Sequence, residues 1–136
     1  EHYICAKIHE LITLFYQKSK TQTKQSYEYA LLAQNYIDNN YYKKISLDEL
    51  AKNLLISKSY FLSVFKNYFG KTPYQYLIET RLTKAAELIS IHKQSIGNVA
   101  SNVGYEDIYT FSKAFKKRYG VSPSSFQQIT ISSILY

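Results

Sequence analysis

Residues that interrupt helices are scarce in this chain, with four glycines and two prolines among 136 residues. No segment alternates apolar and polar residues with a period of two, so strands are not expected and the chain reads as all-α. The single cysteine, Cys5, excludes an internal disulfide. No apolar run approaches the roughly 18 residues of a membrane span, and no cationic, apolar, small-residue sequence marks a signal peptide. A soluble, cytoplasmic protein is therefore expected. Acidic residues are the minority, 10 against 17 Lys and Arg, and the net charge of +7 suits a partner that is a polyanion. Methionine is absent and the chain opens at Glu1, which predicts a portion of a longer protein.

The sequence is equally short of catalytic sets. No Ser/His/Asp or Cys/His combination, phosphate-cradling glycine loop or carboxylate pair can be assembled, so neither an enzyme nor a cofactor is expected. Cys5 and His9 fall four apart with His2 nearby, but on an apolar stripe such residues read as packing and no metal is expected. His92 stands alone. The 15 tyrosines and 7 phenylalanines fall mostly at core spacing, which disfavours a stacking platform for single-stranded nucleic acid.

What the chain does have is helical periodicity. Ile4, Ile8, Leu11, Ile12 and Phe15 fall on one stripe, and the polar residues 18–24 that follow read as a linker. Residues 1–24 are thus expected to belong to an upstream regulatory or dimerisation module. A second helix is expected from Ser26 to Asn39, burying Tyr29, Leu32, Ala33, Tyr36 and Ile37.

Residues 46–76 then recur in residues 95–126 at an offset of 49, which becomes 50 after one inserted residue. Ser46 matches Ser95, Leu50 Val99, Ala51 Ala100 and Asn53 Asn102. Beyond the insertion Phe61 matches Phe111, Phe65 Phe115, Lys66 Lys116, Gly70 Gly120, Pro73 Pro123 and Tyr76 Phe126. Each copy opens on a serine suited to a helix N-cap, and in the first copy Glu49 stands at the capping-box position. A short helix follows, then a turn, at Gly104-Tyr105 in the second copy and at Ile56-Ser57 in the first, where Leu55 stands near that place and the turn is made without glycine. A second helix starts behind Ser57 or Asp107 and stops at Gly70 or Gly120. Two short helices, a tight turn and a small alanine at the crossing describe a helix-turn-helix, here twice.

The second helix of each copy has two faces. Phe61, Val64, Phe65 and Tyr68 are expected inside, as are Phe111, Ala114, Phe115 and Tyr119. Ser59, Leu62, Ser63 and Lys66 face out, matched position for position by Tyr109, Ser112, Lys113 and Lys116. Pro73 opens a connector helix reaching about Ser90, roughly 25 Å long, which could hold the two outward faces in successive major grooves about 34 Å apart.

The run Arg81-Leu82-x2-Ala85-Ala86-x-Leu88-Ile89, then Ser95-Ile96-x2-Val99-Ala100-x3-Gly104-Tyr105, Phe111-Ser112-x2-Phe115-Lys116-Lys117-x-Tyr119-Gly120 and Ser122-Pro123, resembles the signature of the AraC/XylS regulators. The resemblance covers about Ser26 to Gln127. It implies an all-α domain at 25–128 with two tandem helix-turn-helix subdomains, 25–72 and 92–128, joined by a connector helix at 73–91. It also implies binding of double-stranded DNA near bacterial promoters, activation of transcription, RNA polymerase as a partner, and an upstream module that takes a small effector or mediates homodimerisation. Two positions depart from the family pattern: Gln127 replaces a basic residue, and the first outward face lacks Arg or Gln.

Base reading is assigned to Ser59, Leu62, Ser63 and Lys66 in one groove, with an exposed Leu62 suited to a thymine methyl and hence a T-rich first half-site. Tyr109, Ser112, Lys113 and Lys116 are assigned to the next, Lys113 carrying the strongest hydrogen-bonded readout. Phosphate contacts are assigned to Lys43, Lys44, Lys58, Lys71, Lys93 and Lys117 and to the helix starts at Ser46 and Ser95. The alternative is a module that docks on polymerase or another protein without reading bases, with weak salt dependence as its mark. The tail, 129–136, is apolar and unpatterned.

Overall fold

The computed structural model describes the backbone of residues 2–91 and 94–134, and the side chains of 7–91 and 94–133. Among the described residues there are seven helices and no strand: α1 (His2–Asn40), α2 (Leu47–Asn53), α3 (Lys58–Phe69), α4 (Pro73–Ile91), α5 (Ile96–Asn102), α6 (Ile108–Tyr119) and α7 (Pro123–Ile134).

Helix α1 runs 39 residues without interruption, which corrects the linker expected at 18–24. That stretch is polar but contains no glycine or proline, and Lys and Gln are good helix formers. Its threonine hydroxyls turn back onto the helix, Thr21 donating to the Gln17 carbonyl and Thr23 to that of Ser19, both at 2.9 Å. The stripe expected over the first turns is exposed at Ile8, Leu11, Ile12 and Phe15; the side chains of His2, Ile4 and Cys5 lie outside the described residues. Further on, α1 buries Ala30, Ala33 and Ile37, while Tyr29 is half-buried and Leu32 and Tyr36 are exposed. The expected set was rotated toward the larger side chains; the alanines face in because α1 lies close against α3.

The caps follow the sequence closely. Ser46, Ser57 and Ser95 accept from the N–H groups of Glu49, Tyr60 and Asn98 at 3.2–3.3 Å, and Asp107 accepts from Thr110 at 2.7 Å. Gly70 and Gly120 close α3 and α6 in the left-handed region, at φ 70° and 79°. Thr72 and Ser122 then cap the helices that begin at the buried Pro73 and Pro123. The duplication therefore extends to a third helix, α7 answering to the first turns of α4. Residues 129–134 of the expected tail continue α7.

Each copy builds its own core. Leu50, Ala51, Phe61, Phe65 and Leu77 join Ala33 and Ile37 in one, and Val99, Ala100, Val103, Phe111 and Phe115 join Leu82, Ala85 and Ile89 in the other. The same four-ring stack stands at the centre of both. Phe65 lies 4.7 Å from Phe69 and 5.6 Å from Tyr76, and Phe115 lies 4.6 Å from Tyr119 and 5.4 Å from Phe126. Edge and tilted pairs of this kind add about 0.5–1.5 kcal/mol each beyond their area burial.

The cores meet at Tyr41, which packs against both. From the connector α4, the half-buried Arg81 donates Nε to the Tyr41 carbonyl at 2.7 Å and Nη2 to that of Lys43 at 2.8 Å. It thereby ties the connector to the chain just past α1, while its guanidinium stands 5.8 Å over the Tyr105 ring. Burial pulls the Arg81 guanidinium below its ordinary value, and burial raises the Tyr105 phenol.

The two helix-turn-helix turns share a conformation but not an environment. Leu55 adopts φ 58° and Gly104 φ 93°, and the residue after each donates its N–H to the equivalent alanine carbonyl, Ile56 to Ala51 and Tyr105 to Ala100. Leu55 is 92% exposed, so the first turn carries a left-handed leucine with no packing to offset it. A Cβ at Gly104 would lie 2.8 Å from the Tyr41 carbonyl oxygen and 3.0 Å from Arg81 Nη2. Leu55→Gly should therefore stabilise the domain by about 0.5–1 kcal/mol through relief of the left-handed penalty, whereas Gly104→Ala should cost more than about 2 kcal/mol because it adds a clash with backbone. Urea denaturation of both variants checks this; a Gly104→Ala variant as stable as the parent would contradict the packing described.

Candidate nucleic-acid interface

Helices α3 and α6 present the faces the duplication predicts, with two adjustments. On α3, Phe61, Val64 and Phe65 are buried and Tyr68 is half-buried; on α6, Phe111 and Phe115 are buried and Ala114 and Tyr119 half-buried. Ser59, Ser63 and Lys66 are exposed on the first outward face, and Tyr109, Lys113 and Lys116 on the second, with Tyr109 at 80%. The exposed Leu62 expected on this face is corrected: its side chain is half-buried against the first core, and its counterpart Ser112 is half-buried too. The position lies at the border of the two faces, so Leu62 offers an edge rather than a whole side chain.

The lysines assigned to phosphate separate into free and occupied groups. Lys44 and Lys117 are exposed. Lys43 is exposed as well, its Nζ 3.4 Å from Asn40 Oδ1 and 5.2 Å over the Tyr42 ring. Lys58 instead pairs with Asp48 at 3.0 Å. Lys71 is half-buried and bonded to Glu79, whose other oxygen stands 4.0 Å from Arg118. Ser46 and Ser95 have their hydroxyls engaged as caps, leaving backbone N–H groups as what their helix starts can offer. Lys93 lies outside the described residues, as does His92. Gln127, at the departure from the family pattern, donates to the Gln94 carbonyl at 3.0 Å and so ties α7 to the segment that leads into α5.

Several exposed residues on the same faces were not assigned to the site from the sequence. Tyr60 and Thr110 occupy equivalent positions in the first turns, and Asn67 stands where Lys117 does in the other copy. The signal that finds them is the offset of 50 carried past the four outward positions. The two faces differ in charge: Lys116, Lys117 and Arg118 crowd the last turn of α6, where the helix dipole favours cations, against Lys66 alone in that of α3. At the other end of α6 the backbone and side-chain donors of Thr110 hold the Asp107 carboxyl below its usual range.

Between the subdomains lies a cleft of about 480 Å³ walled by Tyr42, Lys44, Tyr74, Arg81, Tyr105 and Asp107. Among the described residues no group of three His, Cys, Asp or Glu side chains could hold a metal ion, and no helix is long and apolar enough to cross a membrane.

Comparison with known proteins agrees with this geometry. A family model described as a helix-turn-helix domain matches residues 50–129, more than half of the chain. The raffinose operon transcriptional regulatory protein RafR of Pediococcus pentosaceus is 35% identical over 115 residues, which are 84% of this chain and 42% of that protein. The chain thus spans about two fifths of the length of that relative. Among solved structures, the C-terminal domain of AraT, a response regulator from Geobacillus stearothermophilus, superposes with a TM-score of 0.72 at 31% identity, covering 74% of this chain and 84% of that one. The DNA-binding domain of AdpA, a global transcriptional factor solved in complex with a target DNA, has the same fold, with a TM-score of 0.73 at 20% identity over 76% of this chain and 94% of its own.

Two outcomes follow from the charges at this interface. Lys117→Gln should lower the slope of log affinity against log salt on duplex DNA by about 0.9, whereas Lys71→Gln, whose ammonium is already paired, should leave the slope nearly unchanged. Equal losses in the two titrations would mean that the Glu79 pairing opens on DNA. Separately, the depressed Asp107 carboxyl contributes stability that is complete above the ordinary carboxylate range and is lost as pH falls through its lower folded value. Asp107→Asn keeps a cap that cannot ionise, so the thermal stabilities of parent and variant should converge between about pH 5 and pH 2. A constant gap across that range would refute the ionic part of the cap.

Proposed function

The chain belongs to the AraC-type helix-turn-helix family, and from that premise we propose that it binds duplex DNA with α3 and α6 in successive major grooves to regulate transcription. The observation that carries the reading is the pair of exposed faces matched at an offset of 50 on two helices fixed to one connector. Helix α4 has 19 residues and is roughly 28 Å long at 1.5 Å per residue, comparable with the spacing of about 34 Å between grooves on one side of a duplex.

In this reading phosphates supply most of the affinity and base edges most of the choice. Lys43, Lys44 and Lys117 are the anchors best disposed to act, and Lys58 would have to leave Asp48 to join them. Lys113 carries the principal hydrogen-bonded readout, with Lys116 and Tyr109 beside it. Ser59, Ser63, Lys66 and the edge of Leu62 make a weaker, T-preferring reader in the first groove. In the intact protein we assign an activating role, with RNA polymerase as partner and with effector binding or homodimerisation in an upstream module that meets the exposed apolar stripe of α1.

The test is selection from a random duplex library by fluorescence anisotropy and sequencing. Two enriched blocks about one helical turn apart are expected. Lys113→Ala should flatten the preference in one block by roughly 1–3 kcal/mol, about 5- to 150-fold, while leaving the other block intact. Binding that is insensitive to salt and enriches no sequence would overturn the reading in favour of a protein-docking module.

A further inference from the structure

Every described side chain of α1 from Lys7 to Gln25 is exposed, so this part of the helix projects past the domain instead of packing on it. It divides by chemistry. Residues 8–16 are largely apolar, whereas residues 17–24 carry three lysines, and no acidic residue occurs between Glu10 and Glu28. Exposed lysines are well solvated and cost little to leave unpaired, so the charges on this stretch of helix are free to meet a partner. Its position narrows the choice of partner.

The root of the projection is clamped to the first reading helix. Tyr68, in the last turn of α3, donates to the Thr23 carbonyl at 2.9 Å, bonds the Ser26 hydroxyl at 3.0 Å and stacks edge-on with Tyr27 at 5.3 Å. Ser26 shares a groove with Ser63, Lys66 and Asn67 of α3, and a second groove that meets the first at Tyr68 is walled by Gln17, Lys20, Lys24 and Tyr27. Lys20 and Lys24 lie one turn apart on this flank, while Lys18 is roughly 200° around the helix from Lys20, on the far side.

We propose that residues 17–24 of α1 are a third DNA contact, an arm that lays Lys20 and Lys24 on the phosphate backbone flanking the first half-site. The arm extends the surface that begins with Ser63 and Lys66, and its uniform charge complements a phosphate track. A second copy of the chain would bring the same lysines face to face, which like-charge repulsion opposes. The arm also compensates the weaker charge of the first reading face: α3 has Lys66 where α6 has three cations in its last turn. This inference rests on the DNA-binding reading above.

The experiment compares Lys20→Gln/Lys24→Gln with Lys18→Gln in the whole chain, each checked for unchanged helix content by circular dichroism. On the selected duplex the double variant should lose about 1.8 from the salt slope, some 0.9 per phosphate contact, with sequence preference intact. Its hydroxyl-radical footprint should retreat from the flank of the first block, and Lys18→Gln should match the parent in both readouts. Indistinguishable slopes and footprints for the double variant and Lys18→Gln would overturn the arm while leaving the two readers standing. Failure of the parent chain to bind any duplex would instead remove the function on which the arm depends.

Discussion

The position of one reading helix relative to the other depends on the fork of Arg81. Its two hydrogen bonds fall on carbonyls at Tyr41 and Lys43, where the chain has just left α1 and no helix supplies those oxygens with donors. Even a half-buried cation is costly unless its donors are used, and here the planar guanidinium satisfies two backbone acceptors while standing over the Tyr105 ring in the second subdomain. The connector, the end of α1 and the second turn are thereby brought to one point. Gly104 has no side chain because that point leaves no room for one. A lysine could supply the charge but not two donors in a fixed geometry.

Around this junction the duplication separates what must be kept from what can change. The aromatic stacks of the two subdomains agree to within a few tenths of an ångström in three of their four ring separations, and the widest discrepancy is between 6.1 and 5.6 Å for the pair furthest from the buried centre. Close packing enforces that agreement, since a methylene too many or too few is felt throughout a core. The outward faces are under no such constraint. Ser63 answers to Lys113 and Asn67 to Lys117, so one scaffold carries two surfaces of different charge.

The same division explains what could be read from the sequence. Caps, closing glycines, buried phenylalanines and the offset itself were legible because each reflects a local rule acting on a few consecutive residues. The continuity of α1 was not, because a run of Lys, Gln and Thr is polar enough for a loop and compatible with a helix; only the absence of glycine and proline argued for the latter. Nor was the burial of Ala30 in place of Leu32 and Tyr36, which depends on how closely a distant segment, α3, approaches. Among the site residues, solvent-facing positions such as Lys113 and Tyr109 followed from periodicity. The pairing of Lys71 with Glu79 joins two elements across a turn, and the half-burial of Leu62 is a matter of degree that helical angles alone do not decide.

The unbroken run of α1 makes it a shaft as well as a surface. A helix turns about 100° and advances about 1.5 Å with each residue, and this one is gripped at Tyr68 with no flexible joint in the described turns ahead of that grip. Anything carried on its exposed turns is therefore indexed to the DNA-reading face in angle as well as distance. Gain or loss of one residue there would swing the carried part more than a quarter-turn around the axis, whereas seven residues would return it nearly to its starting bearing, some 10 Å further out. Length variation in this segment would be tolerated in steps of whole turns, as in the meshing of gears, and not residue by residue.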